Sequence, residues 1–168
     1  MEINNFELIS LAFCFVCSGF YSGSEAVLMS IGIDRARQII EQGGARGKAM
    51  KFMTEKPSEL LTTILVGNNI ANIFAASLTT AIASRFFKND AISISVGITT
   101  FIILIFGEII PKTFARTHAE RLSPFVIRIL QAQYYIFIPV IAPVVWLINK
   151  VLGNNAQIRG RLVTKNDI

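Results

Sequence analysis

The stretch from Leu60 to Ala83, LLTTILVGNNIANIFAASLTTAIA, contains no charged side chain. As a helix rising about 1.5 Å per residue it is long enough to cross a hydrocarbon layer roughly 30 Å thick. It also holds Asn68, Asn69 and Asn72 in its middle, where lipid offers an amide no hydrogen bond. The stretch therefore reads as a membrane span with an interior polar face.

Two further apolar blocks repeat the pattern. One runs from about Phe6 to Ile33 and is interrupted in its interior by Glu25; the other runs from about Ala91 to Ile110 and carries Glu108 just before Pro111 and Lys112. Together the blocks account for a composition that is 52% hydrophobic and only 16% charged, against the roughly 25% charged that a soluble domain carries. Lipid is the solvent this chain needs. Its net charge of +5 does not indicate nucleic acid, because the cations sit between apolar blocks and no basic, aromatic-interleaved face accompanies them.

The distribution of those cations predicts orientation. Arg35, Arg37, Arg46, Lys48, Lys51 and Lys56 fill the first connection, whereas Glu2 and Glu7 flank the amino terminus. The positive-inside rule then puts the amino terminus outside and the carboxyl terminus in the cytoplasm of a multi-pass cell-membrane protein. The connection from Arg85 to Asp90 is short and nearly balanced in charge, as an outer loop should be, and basic residues return at Lys112, Arg116, Arg121 and Arg128. The amino terminus has no basic n-region, so the first block is expected to stay as a span. Cys14 and Cys17, inside that block, read as small packing residues.

A fourth apolar segment, about Pro124 to Leu152, has basic residues at both ends and contains Pro139 and Pro143. It is expected to be a bent interfacial or re-entrant helix broken by its prolines. Between Asp34 and Ser58 the sequence predicts two short cytoplasmic helices, the first capped by Asp34 and ending at Gly43-Gly44, the second stopping before Pro57. The expected fold is an all-α integral membrane domain over residues 1–153, with three transmembrane helices and a juxtamembrane belt helix. A polar cytoplasmic tail, 154–168, follows. With no internal repeat in one chain, a two-sided pore would need a homodimer.

The polar residues inside the spans carry the functional reading. An ionised carboxylate such as Glu108 costs about 2.5–3.5 kcal/mol at the centre of a membrane helix and usually faces the bundle interior with a partner. Ser18 and Ser22 share one helical face, as do Asn68 and Asn72, because residues four apart stack. Measured from the expected cytoplasmic ends, these four and Glu108 all lie about 13–23 Å deep. Gly67 and Gly107 each precede a candidate ligand and permit close approach. Pro111 removes the hydrogen bond that the Gly107 carbonyl would otherwise accept. Hydroxyl, amide and carboxylate oxygens suit a hard cation, and this chemistry leaves Mg²⁺, Na⁺ and Ca²⁺ open.

Blander roles compete. Serine and glycine in membrane helices are commonly packing residues, and asparagines can simply join helices. Glu25 is expected near the cytoplasmic end, reaching water or Arg35, and His118 is expected to be a solvated surface residue.

Three motifs on successive spans, Ser18-Gly19-Phe20-Tyr21-Ser22-Gly23-Ser24-Glu25, Leu65-Val66-Gly67-Asn68-Asn69-Ile70-Ala71-Asn72 and Phe106-Gly107-Glu108-Ile109-Ile110-Pro111-Lys112, resemble the transmembrane domain of the CNNM/CorC family. The resemblance implies a homodimer of three-helix protomers girdled by a juxtamembrane helix and exporting Mg²⁺, with Na⁺ influx as the driving force. It further implies a Mg²⁺ site built from Ser18, Ser22, Asn68, Asn72 and Glu108, with backbone oxygens near Gly67 and Gly107. Relatives continue into cytoplasmic CBS modules that bind ATP, and regulation by nucleotide is not expected within these residues. The competing reading is a Mg²⁺-binding sensor or anchor that does not itself transport. An enzyme is not expected, since no HExxH pattern or Ser-His arrangement is present.

Overall fold

A computed structural model describes residues 4–86 and 91–152, and every element among them is helical. Helix α1 spans Asn5–Glu41, α2 Gly44–Glu55, α3 Pro57–Phe86 and α4 Ala91–Ile102. A π-helical segment, Ile103–Ile109, joins α4 to α5 (Ile110–Thr117), and α6 (Ala119–Leu152) completes the fold. The expected tail, 154–168, and most of the expected outer loop, 87–90, lie outside the described residues.

Four helical stretches are long and apolar enough to cross a membrane: Asn5–Glu41, Pro57–Arg85, Ser95–Thr117 and Ala119–Val144. The first two contain the expected spans and the third overlaps its own from Ser95 onward, running through the π segment and past Pro111. The fourth departs from expectation. Pro124, Pro139 and Pro143 do not break α6, which continues through all of them. Apolar helices tolerate proline because neighbouring groups and local adjustment re-satisfy the freed carbonyls, and Pro139 and Pro143 lie on exposed surface where no packed neighbour is displaced.

Local chemistry fixes the ends of α1. Asn4 accepts a hydrogen bond from the Phe6 N–H at 3.1 Å, and the Glu7 carboxylate accepts one from the Asn4 N–H at 3.4 Å, a reciprocal capping box. Glu7 also pairs with both terminal nitrogens of Arg85, at 2.6 and 2.9 Å, tying α1 to the end of α3. At the other end Gly32 adopts φ 65°, ψ 170°, a conformation essentially confined to glycine. The resulting kink separates the apolar span from the polar turns up to Glu41. The break therefore falls at Gly32 and not at Asp34, which instead lies 3.9 Å from Arg37.

Beyond the kink, α2 packs against α1 and the first half of α6. Met50 and Met53 are fully buried, as are Ile127 and Leu130 opposite them, each contributing about 1.5–3 kcal/mol where water is the alternative environment. Phe52 tilts against Tyr134, ring centroids 5.6 Å apart, and Arg128 donates to the Ala45 carbonyl at 2.9 Å. Arg35 binds Glu120 at 2.6 Å. This basic end is a tightly packed collar.

The spans use different physics. Phe13, Val16, Ile73, Phe74, Phe101, Phe106 and Ile136 are all more than half exposed, the surface expected to face acyl chains. Within lipid, apolar burial does not drive helices together, so close packing of small residues must. Gly19 and Gly23 of α1 supply it: a methyl group on Gly19 would lie 3.2 Å from Pro111 Cγ, and one on Gly23 would lie 3.5 Å from Ala115 Cβ. That seam sets the depth at which α1 meets the π segment.

Candidate metal centre

The seam brings the serine face of α1 onto Gly107 and Glu108. Ser18 is fully buried, and a methyl group at Gly107 would fall 2.8 Å from its hydroxyl oxygen. One turn on, Ser22, 1% exposed, donates to the Glu108 backbone carbonyl at 3.4 Å. Two of the sequence-predicted residues on α1 thus touch both predicted residues of the third span. Their meeting point lies inside the π-helical segment, a distortion that appears mostly as short bulges at functional sites.

The π register changes one expectation. The Ile110 N–H bonds to the Ile105 carbonyl, five residues earlier. Continued by one residue, that register assigns the donor missing from Pro111 to the carbonyl of Phe106, not Gly107. Gly19 lies directly beside this carbonyl, 3.7 Å from where its Cβ would be.

From α3, Asn68 and Asn72 each bury a side-chain oxygen that has no hydrogen-bond partner. Among the described residues five buried side-chain oxygens are unpartnered in this way, and three belong to Ser18, Asn68 and Asn72. Helical Ser and Thr hydroxyls ordinarily donate to the carbonyl of the preceding turn, as Ser24 and Thr63 do at 2.6 and 2.7 Å. Ser18 forgoes that bond. Since an unmet buried polar group costs about 1–3 kcal/mol, its retention at three predicted positions needs a reason beyond packing. The Glu108 carboxylate, partly buried, likewise has no hydrogen-bond or ion-pair partner among the described residues.

Gly67 serves a different contact. A methyl group there would lie 2.7 Å from Tyr21 Cε2 and closer still to Cζ and Cε1. The absent side chain seats the Tyr21 ring, which is 7% exposed, and so sets the spacing of α1 and α3. Sequence reasoning missed this partner and the roles of Gly19 and Gly23, although four-residue spacing of small residues in SGFYSG was a visible signal.

Glu25 is partly exposed, as expected, but does not reach Arg35. Its partner is Lys112, at 3.0 Å, while Arg35 is taken by Glu120. Asn69, assigned to another face, is exposed, and His118 is exposed and stacked on Phe114 at 4.5 Å. Cys14 and Cys17 are free thiols. Among the described residues no three His, Cys, Asp or Glu side chains cluster. An ion at this level would be met mainly by hydroxyl, amide and carbonyl oxygen, the donor set of hard cations.

Comparison with known proteins agrees with the motifs. The family model described as the cyclin M transmembrane N-terminal domain matches residues 9–168. A "UPF0053 protein" of Haemophilus influenzae is 40% identical over 152 residues, covering 90% of this chain and 35% of that protein. The "UPF0053 inner membrane protein YfjD" of Escherichia coli is 33% identical over 137 residues, covering 80% of this chain and 30% of its own. The "Metal transporter cnnm-1" of Caenorhabditis elegans is 27% identical over 159 residues, 90% of this chain and 18% of that protein. The chain thus spans about a third or less of the length of these relatives. With an all-helical architecture, several apolar spans and a family match over nearly every residue, the chain belongs to the cyclin M (CNNM) transmembrane domain family.

Proposed function

We propose that this domain moves a divalent metal cation, Mg²⁺ in particular, through an oxygen-lined site between α1, α3 and the π segment. The observation that carries the reading is the set of buried, unpartnered oxygens on Ser18, Asn68 and Asn72, together with the packing of Ser18 and Ser22 on Gly107 and Glu108, whose carboxylate also lacks a partner among the described residues. Glu108 would offset one of the ion's charges. The serine and asparagine oxygens, with carbonyls near Gly67 and Gly107, would stand in for part of its water shell. Mg²⁺ takes roughly octahedral oxygen coordination at about 2.0–2.1 Å and usually keeps several waters, so protein need not supply every ligand. The name of the cnnm-1 relative, a metal transporter, favours transport over a static structural ion.

In the same proposal the domain works as a homodimer in the cell membrane, its amino terminus outside, and Na⁺ moving down its gradient drives Mg²⁺ outward. CBS modules in the longer protein would supply regulation. The test is Mg²⁺ flux in proteoliposomes reconstituted with the protein and with Glu108→Ala. Loss of flux in a folded variant is the expected result; undiminished flux would remove Glu108 from the pathway. Flux indifferent to an imposed Na⁺ gradient would eliminate the coupling, and tight Mg²⁺ binding without wild-type flux would mark a sensor instead.

A further inference from the structure

The Glu25–Lys112 ion pair is not used by the central site, yet it is built directly beneath it. Glu25 lies three residues beyond Ser22 on α1, and Lys112 four beyond Glu108, so the pair forms the next rung after the Ser22–Glu108 contact, towards the basic end. Its side chains are 42% and 36% exposed. An ion pair placed only to fasten two helices gains little in that setting, and the Gly23–Ala115 contact already brings α1 and α5 together at this depth.

Glu25 also lines a cleft between α1 and α3 of about 230 Å³, whose other polar lining is Asn68 and Asn69 and whose walls include Ile64 and Leu65. At roughly 30 Å³ per water, this is room for about one ion with an octahedral shell of waters. Asn68 is shared: its buried, unpartnered oxygen belongs to the central ligand set, and its residue also borders the cleft. The cleft therefore has a carboxylate in its wall and shares one residue, Asn68, with the proposed site.

We infer that this cleft is a second, weaker divalent-cation site, a staging point at which Glu25 and the amide oxygen of Asn69 hold a still-hydrated ion, and that Lys112 is the exchangeable counter-ion it displaces. With no ion, the ammonium neutralises Glu25. An arriving divalent cation takes over the carboxylate, and repulsion moves Lys112 aside. The return of Lys112 to Glu25 then disfavours backflow, because the carboxylate is no longer available to the departing ion. This inference rests on the proposal that the central site binds a divalent cation.

The two can be tested apart. Calorimetric titration of the purified protein with Mg²⁺ should resolve a tighter and a weaker class of site. Glu25→Gln should weaken the second class by about tenfold or more, equivalent to about 1.4 kcal/mol, and leave the first in place. Lys112→Gln, which removes the competitor, should tighten the second class. A merely structural pair predicts the opposite pattern, with both substitutions weakening binding together. Shifts in the same direction, or a weaker class unchanged in Glu25→Gln, would overturn the inference. Glu108→Ala that spares the tighter class would instead overturn the central-site proposal and leave the staging result readable.

Discussion

Replacing Gly67 by alanine should destabilise the domain through Tyr21 alone. The added methyl would sit 2.7 Å from one ring carbon and nearer to two others, whereas ordinary contacts begin near 3.4 Å. The ring is rigid, 7% exposed and packed edge-on to Phe20 at 5.5 Å, so either it or the helix must shift. Overpacking of this kind costs about 3 kcal/mol at the upper end of its usual range. Alanine recovers about 1 kcal/mol of helix propensity, for a net loss of about 2 kcal/mol. With Tyr21→Ala in place the clash is gone, and Gly67→Ala should then stabilise by about 1 kcal/mol. The coupling between the two positions is therefore about 3 kcal/mol. Equilibrium unfolding in detergent of the wild type, both single variants and the double variant measures it, and an equal loss from Gly67→Ala in both backgrounds would refute the contact as the cause.

Ser18→Ala separates a ligand from a packing residue: it should raise stability in the absence of divalent ions by about 1 kcal/mol, by deleting an unmet hydroxyl, while weakening Mg²⁺ binding. Lower stability with unchanged binding would assign Ser18 to packing. Gly107→Ala should weaken Mg²⁺ binding, because its methyl would fall 2.8 Å from the Ser18 hydroxyl oxygen and displace it, and Ser18→Gly in the same chain should restore stability but not affinity. Gly32→Ala should cost about 1–3 kcal/mol in thermal or denaturant unfolding, because its φ of 65° is strained for any L side chain. An unchanged midpoint would show that the kink relaxes freely.

The spans were legible because a charge-free stretch such as Leu60–Ala83 has few alternatives, whereas a common depth for Ser18, Asn68, Asn72 and Glu108 stays an expectation from counting residues. The close approach of α1 to the third span was not foretold, although the four-residue spacing of Gly19 and Gly23 carried its signal. What one helix does to another was harder to read. Nothing local to Glu25 distinguishes Lys112, in a distant stretch of sequence, from the nearer Arg35, and only the packing of Gly19 and Gly23 on α5 brings the lysine within reach. The π register was hidden for a related reason: it inserts one residue into a turn, a change that leaves hydrophobic periodicity almost untouched but moves the freed carbonyl from Gly107 to Phe106. Prolines misled in α6 because the rule that they break helices assumes water is available to the freed carbonyls, whereas an apolar surround favours keeping the helix.

Location of the ion bears most directly on the whole account. Crystals grown with Mn²⁺ in place of Mg²⁺ should give an anomalous peak bounded by Ser18, Asn72 and Glu108, in the interval between α1, α3 and the π segment. A peak at saturating Mn²⁺ that lies only elsewhere on the protein, with those three residues untouched, would contradict it.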